Sequence, residues 1–200
     1  MNFLAHIYLS GHDTEVTIGN FIADGIRGKS YRKYPVGIQK GILLHRQIDT
    51  YTDAHPTVRL STKRLHQNYS HYSGVIVDIL YDHFLAKNWK DYSDMALELY
   101  AENFYKTIMD NFETLPPRIQ KMMPHMISGN WLLSYAKIDG IQNVLDGMNK
   151  RTNNISGMHN ATRELLQYYS EFEAEFRSFF EELILFAKEG LTALENEFNK

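Results

Sequence analysis

Seven side chains able to ligate a cation, His6, Asp24, His45, Asp49, Asp78, Asp82 and His83, fall within the first 83 residues of the chain, several of them inside otherwise apolar stretches. An ionisable group on an apolar face is costly unless a metal, an opposite charge or a hydrogen bond compensates it. The aspartates carry the stronger signal, because a fully buried carboxylate is almost always paired. Imidazole and carboxylate together suit a hard or borderline cation, Mg2+ or Mn2+. The natural task of such a site is to bind a phosphate oxygen and activate water for phosphoester hydrolysis.

The elements that must position these groups read as helices. From Ile38 an apolar stripe runs through Gly41, Ile42 and His45 to Ile48, the spacing of one helix face. Asp49 lies about 40° round that helix from His45, so both side chains can reach one ion. Asp53 continues the row, and Pro56 limits the helix. A second helix over residues 73–89 is apolar nearly all round and must be buried. Asp78 and Asp82 stand four apart on it, while His83 points about 140° away from Asp78, toward another element or a substrate. Upstream, Asp24 and Arg27 stand three apart and so are neighbours on a helix surface, either an ordinary ion pair or part of the site. Gly25 and Gly28 end that run.

The second half reads as scaffold. Residues 94–112 form an amphipathic helix, Pro116 and Pro117 break the chain, and a further helix follows around residues 129–137. The next segment is apolar at Ile138, Ile141, Val144, Leu145 and Met148, with Asn143, Lys150 and Arg151 available as polar contacts. A long helix then opens at GMHNATRELL, and its stripe from Leu165 to Ile184 is core packing. The histidines outside the cluster, His12, His55, His66, His71, His125 and His159, are assigned as satisfied core histidines. No repeat, linker or low-complexity segment divides the chain. Residues 1–200 read as one all-α domain, a helical bundle.

Composition narrows the function classes. The 200 residues are 44% hydrophobic and suffice for one sizeable core. With no cysteine, disulfides and thiolate zinc sites are excluded, and a reducing cytoplasm fits. The start MNFLAHIYLSGHDTE resembles neither a signal peptide nor a membrane span, so a soluble protein without a membrane partner is expected. A net charge of -3 argues against binding nucleic acid by bulk electrostatics. Lys29, Arg32 and Lys33, with Arg27, form a local basic cluster, either a solvated loop or a patch for a phosphate or an acidic partner. The Glu-x-x-His pairs of di-iron carboxylate bundles, the Gly-x-Ser-x-Gly elbow and the glycine-rich nucleotide loops are all absent. Nothing in the sequence fixes an oligomeric state.

Five segments, MNFLAH, GNFIADGIRG, GILLHRQIDTYTDAHP, VDILYDHFLAKNW and IQNVLDGMNKR, closely resemble the acyl carrier protein phosphodiesterase family, in the same order and at similar separations across most of the chain. The resemblance implies an all-α, HD-phosphohydrolase-like fold, although the pair Asp82–His83 reverses the His-Asp order of the HD pattern. It implies use of Mn2+ to hydrolyse the phosphodiester that joins 4'-phosphopantetheine to a serine of holo-acyl carrier protein. On this footing Asp24, His45, Asp49 and Asp78 are the expected metal contacts. Arg27 or Arg46 would clamp the phosphate, and His6 or His83 would protonate the departing serine oxygen. Asp82 and His83 would support the ligands or move protons, and Lys29, Arg32 and Lys33 would dock the acidic carrier protein. Two other readings fit the residues: an HD-type phosphohydrolase acting on a nucleotide or small phosphodiester, and a non-enzymatic helical interaction module whose histidines and aspartates form buried ion pairs.

Overall fold

The apolar stripes wind into helices, and among residues 1–199, which the structure, a computed structural model, describes, no strand forms. In chain order the helices are α1 (Phe3–Leu9), α2 (Thr14–Ile22), α3 (Val36–Ala54), α4 (Pro56–Tyr69), α5 (Ser73–Lys87), α6 (Leu97–Asp110), α7 (Pro117–Ser128), α8 (Trp131–Ser134), α9 (Ile138–Arg151), α10 (Thr162–Gln167) and α11 (Tyr169–Phe198). No helix among them is long and apolar enough to cross a membrane.

Local chemistry sets the boundaries. Asp13 caps α2, its side chain accepting the Val16 N–H at 2.9 Å. Pro56 stops α3 and opens α4 at the position where a missing N–H costs nothing. Pro117 likewise starts α7, so the Pro116–Pro117 pair introduces a helix where the sequence indicated only a break. The helix expected over residues 129–137 contracts to the single turn α8, and the long C-terminal helix is interrupted at Tyr168. Of the six histidines assigned to the core, only His55 is buried; the others are surface residues.

Helix α5 is the central strut, buried from Ile79 through Ala86 without interruption. The 30-residue α11 lies against α3, α4 and α5 through Phe172, Phe176, Phe179, Phe180 and Leu183. Helices α2 and α3 approach backbone to backbone. A Cβ on Gly41 would stand 2.1 Å from the Val16 carbonyl oxygen, and one on Gly19 would stand 2.1 Å from that of Ile38. Only glycine permits this contact. It carries Asn20, the neighbour of Gly19, up against His45, one turn beyond Gly41.

Candidate metal centre and cleft

Asn20 is fully buried and organises two imidazoles at once. Its backbone carbonyl accepts a hydrogen bond from His45 Nδ1 at 2.8 Å, and its side-chain Oδ1 accepts from His6 Nδ1 at 2.8 Å. The amide is held the right way round, because its Nδ2 faces the carbonyl of His6 at 2.9 Å and that oxygen can only accept. In the neutral form of each ring, the carbonyl acceptor at Nδ1 places the proton there and leaves the lone pair on Nε2. The two rings stack, with centroids 3.9 Å apart and planes 18° from parallel.

Both Nε2 atoms turn to the same carboxylate. His6 Nε2 lies 3.2 Å from Asp49 Oδ1, and His45 Nε2 lies 3.1 Å from Asp49 Oδ2. One ligand atom from each of His6, His45 and Asp49 falls within 4.8 Å of the others, a group that could hold a metal ion. Asp24 approaches from the open side, 3.3 Å from His45 Nε2, with its side chain 70% exposed. Buried His6 Nε2 makes no hydrogen bond despite its closeness to Asp49. A lone pair facing a carboxylate oxygen at that distance is repulsive unless a cation stands between them, so the donor set fits a divalent ion. The Nδ1 contacts to Asn20 are those that commonly orient metal-bound histidines.

The electrostatics of the metal-free cluster agree. Burial, and then the charge of His45, push the His6 imidazole down to about 4, so it is neutral near pH 7. Burial also opposes a charge on His45, but its hydrogen bonds to Asp24 and Asp49 prevail and lift it to about 9. Burial likewise works against the Asp49 carboxylate, yet contacts with both histidines hold it well below the ordinary range. The Asp24 carboxyl is lowered chiefly by its hydrogen bond with His45. Without a cation His45 is therefore an imidazolium whose Nε2 proton faces the two carboxylates, while His6 stays neutral; a cation at this point would take the place of that proton.

A cleft of about 530 Å³ opens beside the cluster. It is lined by Asp24, His45, Asp49 and Asp53, by the amino-terminal residues with Val75, Asp78 and Ile79, and by Trp131, Tyr135 and one face of α9 that ends in Arg151.

Several sequence-based roles change. Asp78 lines the cleft but lies 2.9 Å from the Met1 amino group. Asp82 is wholly buried and accepts the N–H groups of Leu4 at 2.7 Å and Ala5 at 3.2 Å, closing the first turn of α1. Burial raises its carboxyl to about 7 despite those contacts. His83 faces away from the cleft, its Nδ1 donating to the Tyr135 carbonyl at 2.7 Å and its Nε2 bonded to the Tyr169 hydroxyl at 2.8 Å. His6, expected as a proton donor, belongs instead to the cluster. Arg46 projects one residue round α3 from His45, donates to the Ile26 carbonyl at 3.0 Å and covers the Tyr31 ring. Helix α2 stops at Ile22 and Arg27 is extended, so Asp24 and Arg27 are not helical neighbours and form no ion pair among the described residues. Lys29, Arg32 and Lys33 are exposed on the two-turn 3-10 segment Gly28–Lys33. Sequence reasoning missed Asn20, although the cost of a buried polar group inside GNFI pointed to it.

An all-α chain whose first three helices converge two imidazoles and a carboxylate at the edge of an open cleft has the build of a helical hydrolase with a group that could hold a metal ion. The sequence comparisons agree with a hydrolase. The family profile described as acyl carrier protein phosphodiesterase matches residues 1–183, and the chain belongs to that family, whose activity is hydrolysis of a phosphodiester. Among its relatives, acyl carrier protein phosphodiesterase of Photorhabdus laumondii is 31% identical over 181 residues, covering 90% of this chain and 91% of the relative. That of Shigella boydii is 32% identical over 181 residues, covering 90% and 94%. That of an Enterobacter species is 30% identical over 189 residues, covering 94% and 98%. No solved structure matches.

Proposed function

We propose that this protein hydrolyses the phosphodiester between 4'-phosphopantetheine and a serine of holo-acyl carrier protein, with Mn2+, or Mg2+ in its place, held by His6, His45 and Asp49. The observation that carries the reading is the convergence of two Nε2 atoms on one carboxylate at the edge of a cleft. A bound divalent cation supplies Lewis acidity to a phosphoryl oxygen and to water. Asn20 keeps both imidazoles in the ligating tautomer. Asp24, exposed on the cleft side of the cluster, is the group positioned to take the proton of the attacking water. The basic segment with Lys29, Arg32 and Lys33 follows Asp24 by a few residues and offers an acidic carrier protein a complementary edge. Absence of cysteine suits a cytoplasmic setting.

Incubation with holo-acyl carrier protein and Mn2+, followed by intact-mass measurement, tests the reading. Loss of the phosphopantetheine mass is the expected result, and an unchanged mass after prolonged incubation refutes it. Asp24→Asn should retain Mn2+ while turnover falls about a hundredfold or more, the usual scale of a lost proton-transfer group.

A further inference from the structure

The part of the cleft lining that α9 supplies has no role in the ligand cluster described above, yet its composition is specific. On α9, Asn143, Val144, Gly147, Met148 and Arg151 line the cleft, while Ile141, Leu145 and Asn149 face the core. The 1, 3, 1, 3 spacing of the first set is one continuous helix face. Gly147 is the anomaly on it. Glycine inside a helix costs about 1 kcal/mol relative to alanine. Here neither a positive φ nor a close neighbour demands it, since a Cβ at this position would meet nothing within 4 Å. Gly140 on the same helix is different, because a Cβ there would strike the Ser134 carbonyl at 1.9 Å. What Gly147 provides is open space in the groove.

Arg151 ends the strip. It is the only arginine or lysine lining the cleft among the described residues, and it pairs with no carboxylate there. Its one polar contact is with the Met148 sulfur at 3.4 Å, which leaves most of the guanidinium fork free. An unpaired guanidinium in a cleft that otherwise carries carboxylates is suited to a phosphate.

We propose that this face of α9 is the binding strip for the prosthetic arm: Arg151 grips the phosphate, and the extended pantetheine chain lies along the groove that Gly147 keeps open, against Trp131, Val144 and Met148. Pantetheine alternates methyl and methylene groups with amides, so a wall of apolar side chains interrupted by Asn143 matches it. The assignment rests on the phosphodiesterase reading and adds that selectivity resides in α9, separately from the carrier-docking segment.

Calorimetric titration of the Mn2+-loaded protein with inorganic phosphate, 4'-phosphopantothenate and 4'-phosphopantetheine tests it. Affinity should rise at least about tenfold along the series in the parent protein, and Gly147→Phe should flatten the series while phosphate itself still binds. Arg151→Ala should weaken all three ligands about tenfold, with Arg151→Lys recovering only part, because a point charge lacks the bidentate fork. Gly147→Leu serves the same purpose should the phenylalanine variant fold poorly. Equal affinities for phosphate and phosphopantetheine in the parent, or a Gly147→Phe series as steep as the parent's, would overturn the proposal. A flat series alongside normal release from holo-acyl carrier protein sinks the strip alone; failure of that release sinks the phosphodiesterase reading.

Discussion

Replacing Asn20 with alanine removes the group that fixes His6 while leaving the backbone carbonyl that fixes His45. The lost Oδ1 strands the buried His6 Nδ1 proton, which stood 2.8 Å from its acceptor. The lost Nδ2 removes bonds to the His6 carbonyl at 2.9 Å and the Ser10 hydroxyl at 3.0 Å. The carbonyl keeps the Ser10 hydroxyl at 2.8 Å, so only the imidazole proton is fully orphaned. One stranded donor plus the truncation should cost about 2–4 kcal/mol, because a buried unsatisfied group alone costs about 1–3 kcal/mol. For a chain of this size that lowers Tm by about 5–15 °C. Mn2+ affinity should fall about 10–100-fold, the range found when the partner behind a ligating histidine is lost. Calorimetric titration with Mn2+, after circular dichroism has established a cooperative melt, measures both quantities. A double-mutant cycle sharpens the test: in a His6→Ala background, Asn20→Ala should weaken Mn2+ binding little further, since His45 is held by main chain. If Asn20→Ala bound Mn2+ within about threefold of the parent, the orientation argument would be wrong.

Five further outcomes follow from the same geometry. His45 is raised from 6.5 to about 9 in the metal-free protein, so cation binding must displace its proton; Mn2+ affinity should climb by about tenfold per pH unit between pH 7 and 8 and level off above about 9, and a flat profile would contradict this. The same proton stabilises the metal-free fold fully below pH 6.5, an increment lost as pH rises through about 9 and visible as a falling Tm of the chelated protein. Gly41→Ala drives a methyl against the Val16 carbonyl, a backbone atom that cannot yield, and should cost about 3 kcal/mol with loss of stoichiometric Mn2+; Gly74→Ala, where the added Cβ meets nothing, is the neutral control in the same melt and titration. His83→Ala should lower Tm through its two lost hydrogen bonds yet leave kcat per folded molecule unchanged, and a tenfold fall in kcat would return His83 to the chemistry. Joint reversal of Lys29, Arg32 and Lys33 to glutamate should raise KM for holo-acyl carrier protein more than it lowers kcat, with the difference shrinking at high salt; an unchanged KM removes the docking role.

What the sequence revealed depended on whether the decisive neighbours share a helix. His45 and Asp49 are one turn apart on α3, so helical period alone brought them together, and they do lie 3.1 Å apart. Arg46 stands next to His45 on the same helix, but a neighbour in sequence points about 100° round it, and the Arg46 guanidinium covers the Tyr31 ring. His6 and Asn20 come from two separate short helices, and the approach of α2 to α3 that brings Asn20 to His45 is set by Gly19 and Gly41; no periodicity encodes either placement. The all-α fold followed from the stripes, but α7 was hidden because Pro117 is both a breaker in mid-chain and a favoured first residue of a helix.

Asp78 and Asp82 show why the cost of burial identifies a compensated group without identifying its compensator. Both carboxylates on α5 are satisfied, as that cost requires, but by the start of α1: the Met1 amino group at 2.9 Å and the Leu4 and Ala5 amides at 2.7 and 3.2 Å. They bear on the candidate metal site indirectly. His6 lies one turn beyond Leu4 and Ala5, so α5 fixes the depth at which α1 enters the core while the glycine contact between α2 and α3 fixes Asn20. Imidazoles from α1 and α3 then meet over one carboxylate because two buried polar anchorages, made by residues that need not touch the cation, leave them no other place to go.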